Sequence, residues 1–196
     1  MQTSRRAEYA EATRQAIIAA SRELFVSKGY VKTTVNEIAR SARVAPATVY
    51  AVGGGKQDLL RTVIRNGAAD CAMSPTITAV AETLDPDEVL RLTVRITRES
   101  FAEWADLMRV VADTAPHEPA AAESLRLVHE SQRAALTSAA RRLETLGALR
   151  VDVREATDVL FYYLGNASYF TLTGDNGWSL EDAERWLLGA LRRALL

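Results

Sequence analysis

An all-α fold is predicted for this chain by three features of its sequence. Apolar residues return every three or four positions from end to end, which is the period of a helix face. No stretch alternates apolar and polar residues between turn signals with the Val, Ile and Thr enrichment of a strand. Where the helical period stops, helix punctuation stands: Gly29 and Gly147 follow periodic runs, and Pro46, Pro86 and Pro119 precede them. With 48 % apolar residues among 196, the chain can close a real core, either as one medium domain or as a small domain joined to a larger one.

The first helix is expected from Ala7 or Glu8, with Ile17, Ala20, Leu24 and Phe25 on one face and Gly29 as its left-handed stop after Lys28. Thr34 with Glu37 three residues on is a capping box, so a second helix of about two turns starts there and buries Val35, Ile38, Ala39 and Ala42. Arg43, Val44 and Ala45 cannot complete another helix before Pro46, because proline lacks the amide donor and is tolerated only in a first turn. A very short third helix therefore runs from Pro46 to about Val52, broken by Gly53, Gly54 and Gly55. Lys56 opens a fourth helix, with Leu59, Leu60, Val63 and Ile64 sharing a face.

Beyond Ser74 and Pro75 the register is poor, and residues 76–84 read either as a short helix or as a continuation with a break. Asp85 is an N-cap, Pro86 a first-turn proline, and Asp87 and Glu88 place carboxylates in the positive first turn of a long helix. That periodic segment is long enough to be expected to bend near residues 101–105 before it stops at Ala115 and Pro116. Another long helix spans residues 119–146. Asp152 and Glu155 repeat the capping spacing, and the helix they start carries six apolar or aromatic residues in a row, 159–164. Such a run covers every face, so burial deep in a domain or between two subunits is expected. A turn at residues 174–177 leads to the cap of Ser179 and Asp182 and to a final helix with Ala183, Trp186, Leu187, Ala190, Leu191 and Ala194 inward. Leu180, Leu188 and Leu195 widen that face.

Net charge is only −1, but it is unevenly placed. Residues 1–65 hold eleven cations against five acids, a net +6, and the remainder holds thirteen against twenty, a net −7. A basic N-terminal portion joined to an acidic one is what phosphate binding by the first would require, with the second kept off the polyanion. The lone Cys71 excludes an internal disulfide and reads as a passive thiol in a reducing cytosol. No run has the apolar core of a signal peptide or approaches the roughly 20 residues of a membrane span, so a cytoplasmic protein with no membrane contact is expected.

Two short helices joined by a tight turn and braced by a longer one make a helix-turn-helix, whose second helix can enter the DNA major groove. Ordered residues across 13–60 carry a closer likeness. They include Leu24 and Phe25 ending helix one, Gly29 with Tyr30, and Thr33, Thr34 and Val35. Ile38 with Ala39, Ala42 with Val44, and Thr48, Val49 and Tyr50 follow, then Lys56 with Asp58, Leu59 and Leu60. This stretch resembles the DNA-binding domain of the TetR family. Gly177, Trp178, Ser179, Trp186 and Leu187 are also similar to actinobacterial members, less diagnostically. Three positions depart from the pattern. Arg43 stands where the turn usually has glycine, so the backbone must avoid a positive φ or accept strain. Ala45 replaces a Ser or Thr cap, which forfeits on the order of 1 kcal/mol. Gly53 replaces an aromatic residue, and the three glycines make that junction pliable.

The resemblance implies a helix-turn-helix domain over residues 1–55 and a helical ligand-binding and dimerisation domain over 56–196, the helix from 56 connecting them. It implies double-stranded operator DNA, a small-molecule effector and a second copy, paired through the last two helices, as partners. By position, Thr34 and its neighbouring amides meet a phosphate, while Ala45, Pro46 and Ala47 approach base edges. Thr48 and Tyr50 give hydroxyls to the DNA backbone, and Lys56 meets phosphate at a helix start. Ala45, Pro46, Ala47 and Ala51 offer no hydrogen bonds, so readout would lean on thymine methyls and DNA shape, with Arg43 adding a polar contact. Phe101, Trp104, Met108, Tyr162, Asn166 and Phe170 are candidates for an effector pocket, although such a stripe is also what plain core looks like. Asn166 is the most telling of them, as an amide in an apolar helix needs a partner.

No catalytic, metal or cofactor site is implied. His117 and His129 lack helical metal spacing, and the GGGK run is no phosphate loop, since Tyr50 stands where such a loop needs glycine and Gln57 follows the lysine. A DNA-binding regulator with a collapsed, ligand-free C-terminal core stays open as an alternative, as does an all-α enzyme.

Overall fold

The structure, a computed structural model, describes residues 5–72 and 75–196, with the side chains of Arg6 and of residues 68–75 outside that description. The readings of Ser74 and of the Cys71 thiol thus lie outside the described residues. The chain is all-α, with no strand among the described residues. Two compact units form: residues up to Gly67 together with Asp106–Leu127, and Ala68–Ala105 together with Val128–Leu196. Neither is continuous in sequence, because two long helices each contribute residues to both.

The first unit is built on α1 (Arg5–Lys28), α2 (Val35–Ser41), α3 (Pro46–Gly53) and the start of α4 (Lys56–Ala72). Ile17 and Phe25 on α1, Ile38 on α2, Val49 on α3, and Leu59 and Leu60 on α4 are fully buried, so one small core holds four helices. Phe25 lies 5.3 Å from the Tyr30 ring, and Thr33 donates its hydroxyl to the Leu24 and Gly29 carbonyls at the end of α1. Gly29 takes φ +87° there, the left-handed value that its Cβ-less backbone tolerates. Residues 7–16 are largely exposed, and local bonds such as Gln15 to Glu11 hold that stretch of α1.

In the second unit, α5 (Pro75–Glu82) is a separate short helix, and α6 (Pro86–Thr114) contributes its residues up to Ala105. α6 runs 29 residues as one helix. From α7 (Pro119–Thr145) the unit takes residues 128 onward, and α8 (Val153–Leu164), α9 (Asn166–Tyr169), a π-helical turn Phe170–Asp175 and α10 (Leu180–Leu195) complete it. Val89, Leu90, Val94, Leu143, Ala156, Leu160, Ala183, Leu187 and Leu191 form its core. Arg142 donates from Nε and Nη2 to the Thr83 carbonyl at 3.0 and 2.8 Å, satisfying the end of α5. Asp87 in the first turn of α6 pairs with Arg192 in the last turn of α10, and Arg98 reaches Glu181 and Glu184 at 2.9 and 3.1 Å.

The apolar run of α8 is not enclosed on all sides within one chain. Leu160 and Leu164 are buried, whereas Tyr162 is 74 % exposed. α8 ends at Gly165, where a Cβ would come within 2.8 Å of the Phe161 carbonyl, so any other residue there would push the turn apart. Gln132 on α7 donates to the Leu164 carbonyl at 2.9 Å and so completes the broken helix end. Its carboxamide oxygen is enclosed and meets no donor among the described residues.

Candidate nucleic-acid interface

The geometry of the first unit follows from its caps. Thr34 has extended backbone (φ −116°, ψ 154°), its hydroxyl accepts from the Glu37 amide, and the Glu37 carboxylate accepts from the Thr34 amide at 3.0 Å. Lys28 from the end of α1 closes on the same carboxylate. The hydrogen bonds from Lys28 and then Thr34 hold Glu37 down to about pKa 2, so α2 begins on a fixed negative charge. Thr34 itself remains exposed, but its amide and hydroxyl are already engaged.

The turn into α3 is where the first departure shows its cost. Arg43 adopts φ +58°, the sole non-glycine in the left-handed region among the described residues. The fold needs that value, because the Arg43 and Val44 amides then reach the Arg40 and Ala39 carbonyls at 3.2 and 2.9 Å and close α2. The side chain points outward, exposed. Ala45 is the N-cap of α3, extended at φ −72°, ψ 148°, and makes no side-chain cap bond, as expected of alanine.

α3 is pinned by its inner face and leaves the rest free. Val49 is fully buried, and Gly53, one turn on, lies so close to α4 that a Cβ would fall 2.5 Å from Leu59 Cδ2. The room that an aromatic residue would need is taken by Leu59, which accounts for the glycine. Gly54 takes φ +70° and its amide closes α3 on the Tyr50 carbonyl, while the Gly55 amide donates to Asp58 at the start of α4. Each of the three glycines thus has a specific contact or conformation at this junction. Ala45, Pro46, Ala47, Tyr50, Ala51 and Val52 are exposed, and Thr48 is half-buried.

Lys56 sits differently from a free phosphate ligand. Its ammonium donates to the Tyr30 and Val31 carbonyls at 3.1 and 3.3 Å and lies 4.4 Å from the centre of the Tyr30 ring. Burial, then the charge of Glu118, pushes the Tyr30 hydroxyl up to about pKa 12, so the ring beneath the ammonium stays neutral. The lysine fastens the start of α4 to the turn after α1. Composition and spacing gave no signal for this, because the two carbonyls lie 25 and 26 residues away.

Within the second unit, the pocket candidates fall into an inner group and an outward residue. Phe101 stacks on Tyr169 at 4.9 Å and meets Phe170 edge-on at 5.2 Å, inside the second unit. Tyr169, missed in the sequence, is the fully buried centre of this group; its hydroxyl is 3.3 Å from Thr97 and is pushed up to about pKa 12 by burial. Trp104 and Asn166 are half-buried, and Met108 belongs to the first unit. Tyr162 stands outside the group, because α8 turns Leu160 and Leu164 inward and a residue two positions from Leu160 lies on the far side of the helix. It joins instead an aromatic surface, Tyr162 against Tyr163 at 5.3 Å, Tyr163 against Trp186 at 6.2 Å, and Trp186 against Trp178 at 5.9 Å. His129 packs edge-on to Phe161 at 5.5 Å, and partial desolvation lowers its pKa.

Residues 17–63 match the model of the family described as bacterial regulatory proteins, tetR family. Over 95 residues the chain is 32 % identical to the HTH-type transcriptional regulator HbdR of Aromatoleum sp. (strain CIB), a stretch that covers 48 % of this chain and 37 % of that protein. The chain thus spans little more than a third of the length of that curated relative. The whole fold is similar to the fatty acid degradation regulator FadR from Bacillus halodurans, with TM-score 0.75, 19 % identity, and 97 % and 96 % of the two chains covered. It is equally similar to SmeT, solved as a complex with triclosan, with TM-score 0.78, 18 % identity, and 94 % and 92 % covered. The N-terminal helices thus match the tetR family model over residues 17–63, and the fold is similar over nearly the full length to that of the two solved regulators.

Proposed function

We propose that the chain is a cytoplasmic repressor that binds a palindromic operator as a homodimer and releases it when a small molecule enters the second unit. The observation that carries this reading is α3 itself: one buried side chain, Val49, anchors it, and the surface of residues 45–52 faces outward where a groove can receive it. Tyr50, 58 % exposed, and the edge of Thr48 supply hydroxyls for phosphate oxygens, and Ala45, Pro46 and Ala47 supply apolar contact with base edges. Lys56 supports the interface by holding α4, with one N–H left over for a phosphate.

A second copy is the natural cover for the aromatic surface of α8 and α10, since exposed apolar patches of this kind mark association sites and two recognition helices must lie about one DNA turn apart. The enclosed Gln132 oxygen beside the broken end of α8 favours an effector that brings a hydrogen-bond donor, and the triclosan complex of SmeT shows that a relative of this fold accepts a small aromatic molecule. The aromatic packing of Phe101, Tyr169 and Phe170 favours the alternative of a closed, ligand-free core. Capture and sequencing of genomic fragments on the purified protein tests the main reading: enrichment of a palindromic site, lost on raising salt, supports it, and no retention at low ionic strength refutes it. Thermal shift against a metabolite panel, repeated with Gln132→Leu, separates the two cores, since a closed one gains no stability from any compound.

A further inference from the structure

We propose that Arg43 is the principal sequence-reading residue of the interface, and that each operator half-site sets a guanine beside thymine-rich steps. The inference rests on the DNA-binding reading above and adds the identity of the bases. A left-handed conformation is strained for an L-residue with a Cβ, and glycine would relieve that strain. The backbone bonds that close α2 need this conformation, but glycine would make them equally well, and no contact of the Arg43 side chain offsets the difference. The Arg43 side chain is exposed and makes no hydrogen bond or ion pair among the described residues, so its five donors face outward at the edge of α3. A strained position filled by an otherwise unused side chain, where glycine would fit without strain, points to a partner outside the chain.

The neighbouring chemistry narrows that partner. Residues 44–55 contain no charged side chain, and the exposed tip of α3 consists of Ala45, Pro46 and Ala47. Small apolar groups in a major groove gain from thymine C5-methyls and cannot tell the other bases apart by hydrogen bonds. A guanidinium in the same groove matches the paired acceptors O6 and N7 of guanine, which its planar fork meets with two hydrogen bonds. One arginine with three apolar residues therefore reads a guanine next to thymines. A phosphate contact is the rival use of Arg43, and it would carry no base preference.

Selection from a randomised duplex pool with the full-length protein, its Arg43→Lys variant and its Arg43→Gly variant tests the inference. Lysine keeps the charge without the fork, and glycine relaxes the backbone, so neither depends on a damaged fold. The wild type should enrich one guanine per half-site flanked by thymines; Arg43→Gly should retain the thymines while losing the guanine by about ten- to a hundredfold in preference, and Arg43→Lys, with a charge but no planar fork, should keep only part of that preference. Replacing that guanine by 7-deazaguanine should weaken the wild type about tenfold or more and leave Arg43→Gly unchanged. Replacing the flanking thymines by deoxyuridine should weaken all three. The same guanine selected by Arg43→Gly, or a 7-deazaguanine effect equal in all three proteins, would overturn the inference and leave the DNA-binding reading intact, as would a wild type that binds every duplex alike. A wild type retaining no duplex at low salt would overturn both.

Discussion

At Arg43 the backbone and the side chain want different things, and the disagreement is measurable. Because the left-handed φ is required by the bonds that close α2, a β-branched residue suffers most there: Arg43→Val should lose about 1–2 kcal/mol, while Arg43→Gly should equal or slightly exceed the wild type. Thermal melting that ranked valine level with glycine would contradict the geometry. Ala45 presents the opposite case, a position with cap geometry and no cap. Ala45→Ser should add about 1 kcal/mol, seen as a rise of a few degrees in Tm for a chain of this size. At Gly53 the limit is space. Gly53→Phe should cost about 1–3 kcal/mol in a denaturant titration, and truncating Leu59 in the same chain should return part of it.

Among the elements, α2 has the most pH-sensitive beginning. The Glu37 pKa falls from the ordinary 4.5 to about 2 on folding, so the unfolded chain takes up its proton first as the medium is acidified. The stability this group contributes is complete above pH 4.5 and is lost as pH falls toward 2. Unfolding free energy measured across that window should decline less steeply for Glu37→Gln than for the wild type, and Lys28→Ala, by removing the largest cause of the shift, should raise the carboxyl's titration midpoint in an NMR experiment. A midpoint unmoved by the lysine change would mean that Thr34 alone sets it. α8 is the element whose end the sequence hid. Gly165 directly follows the apolar run 159–164, and only its approach to the Phe161 carbonyl and the bond from Gln132, 32 residues away, show why the helix breaks there.

For the molecule as a whole, the decisive quantity is whether the aromatic surface of α8 and α10 is covered by a second copy. Trp186→Glu and Tyr162→Arg place charges on that surface without entering the core, so far-UV circular dichroism should stay unchanged while sedimentation shifts from dimer toward monomer. Operator affinity should fall by more than tenfold in the same variants, because one half-site contact cannot hold the duplex alone. A dimer that survived both changes would place the partner elsewhere.

Local chemistry was enough for the helix-turn-helix: the capping box at Thr34, the proline at Pro46, the glycine after Lys28 and the face of Leu59, Leu60, Val63 and Ile64 are short-range signals, since caps and helix faces act over four to eight residues. The all-α class follows from the same periods. Tertiary structure alone decided what depends on distant neighbours: that Lys56 is tied to the turn at Tyr30, that Tyr169 rather than Tyr162 meets Phe101, and that the strain at Arg43 is accepted rather than avoided. A sequence states which face of a helix is apolar, but which side chain meets it is chosen by packing, and packing is a property of the assembled chain.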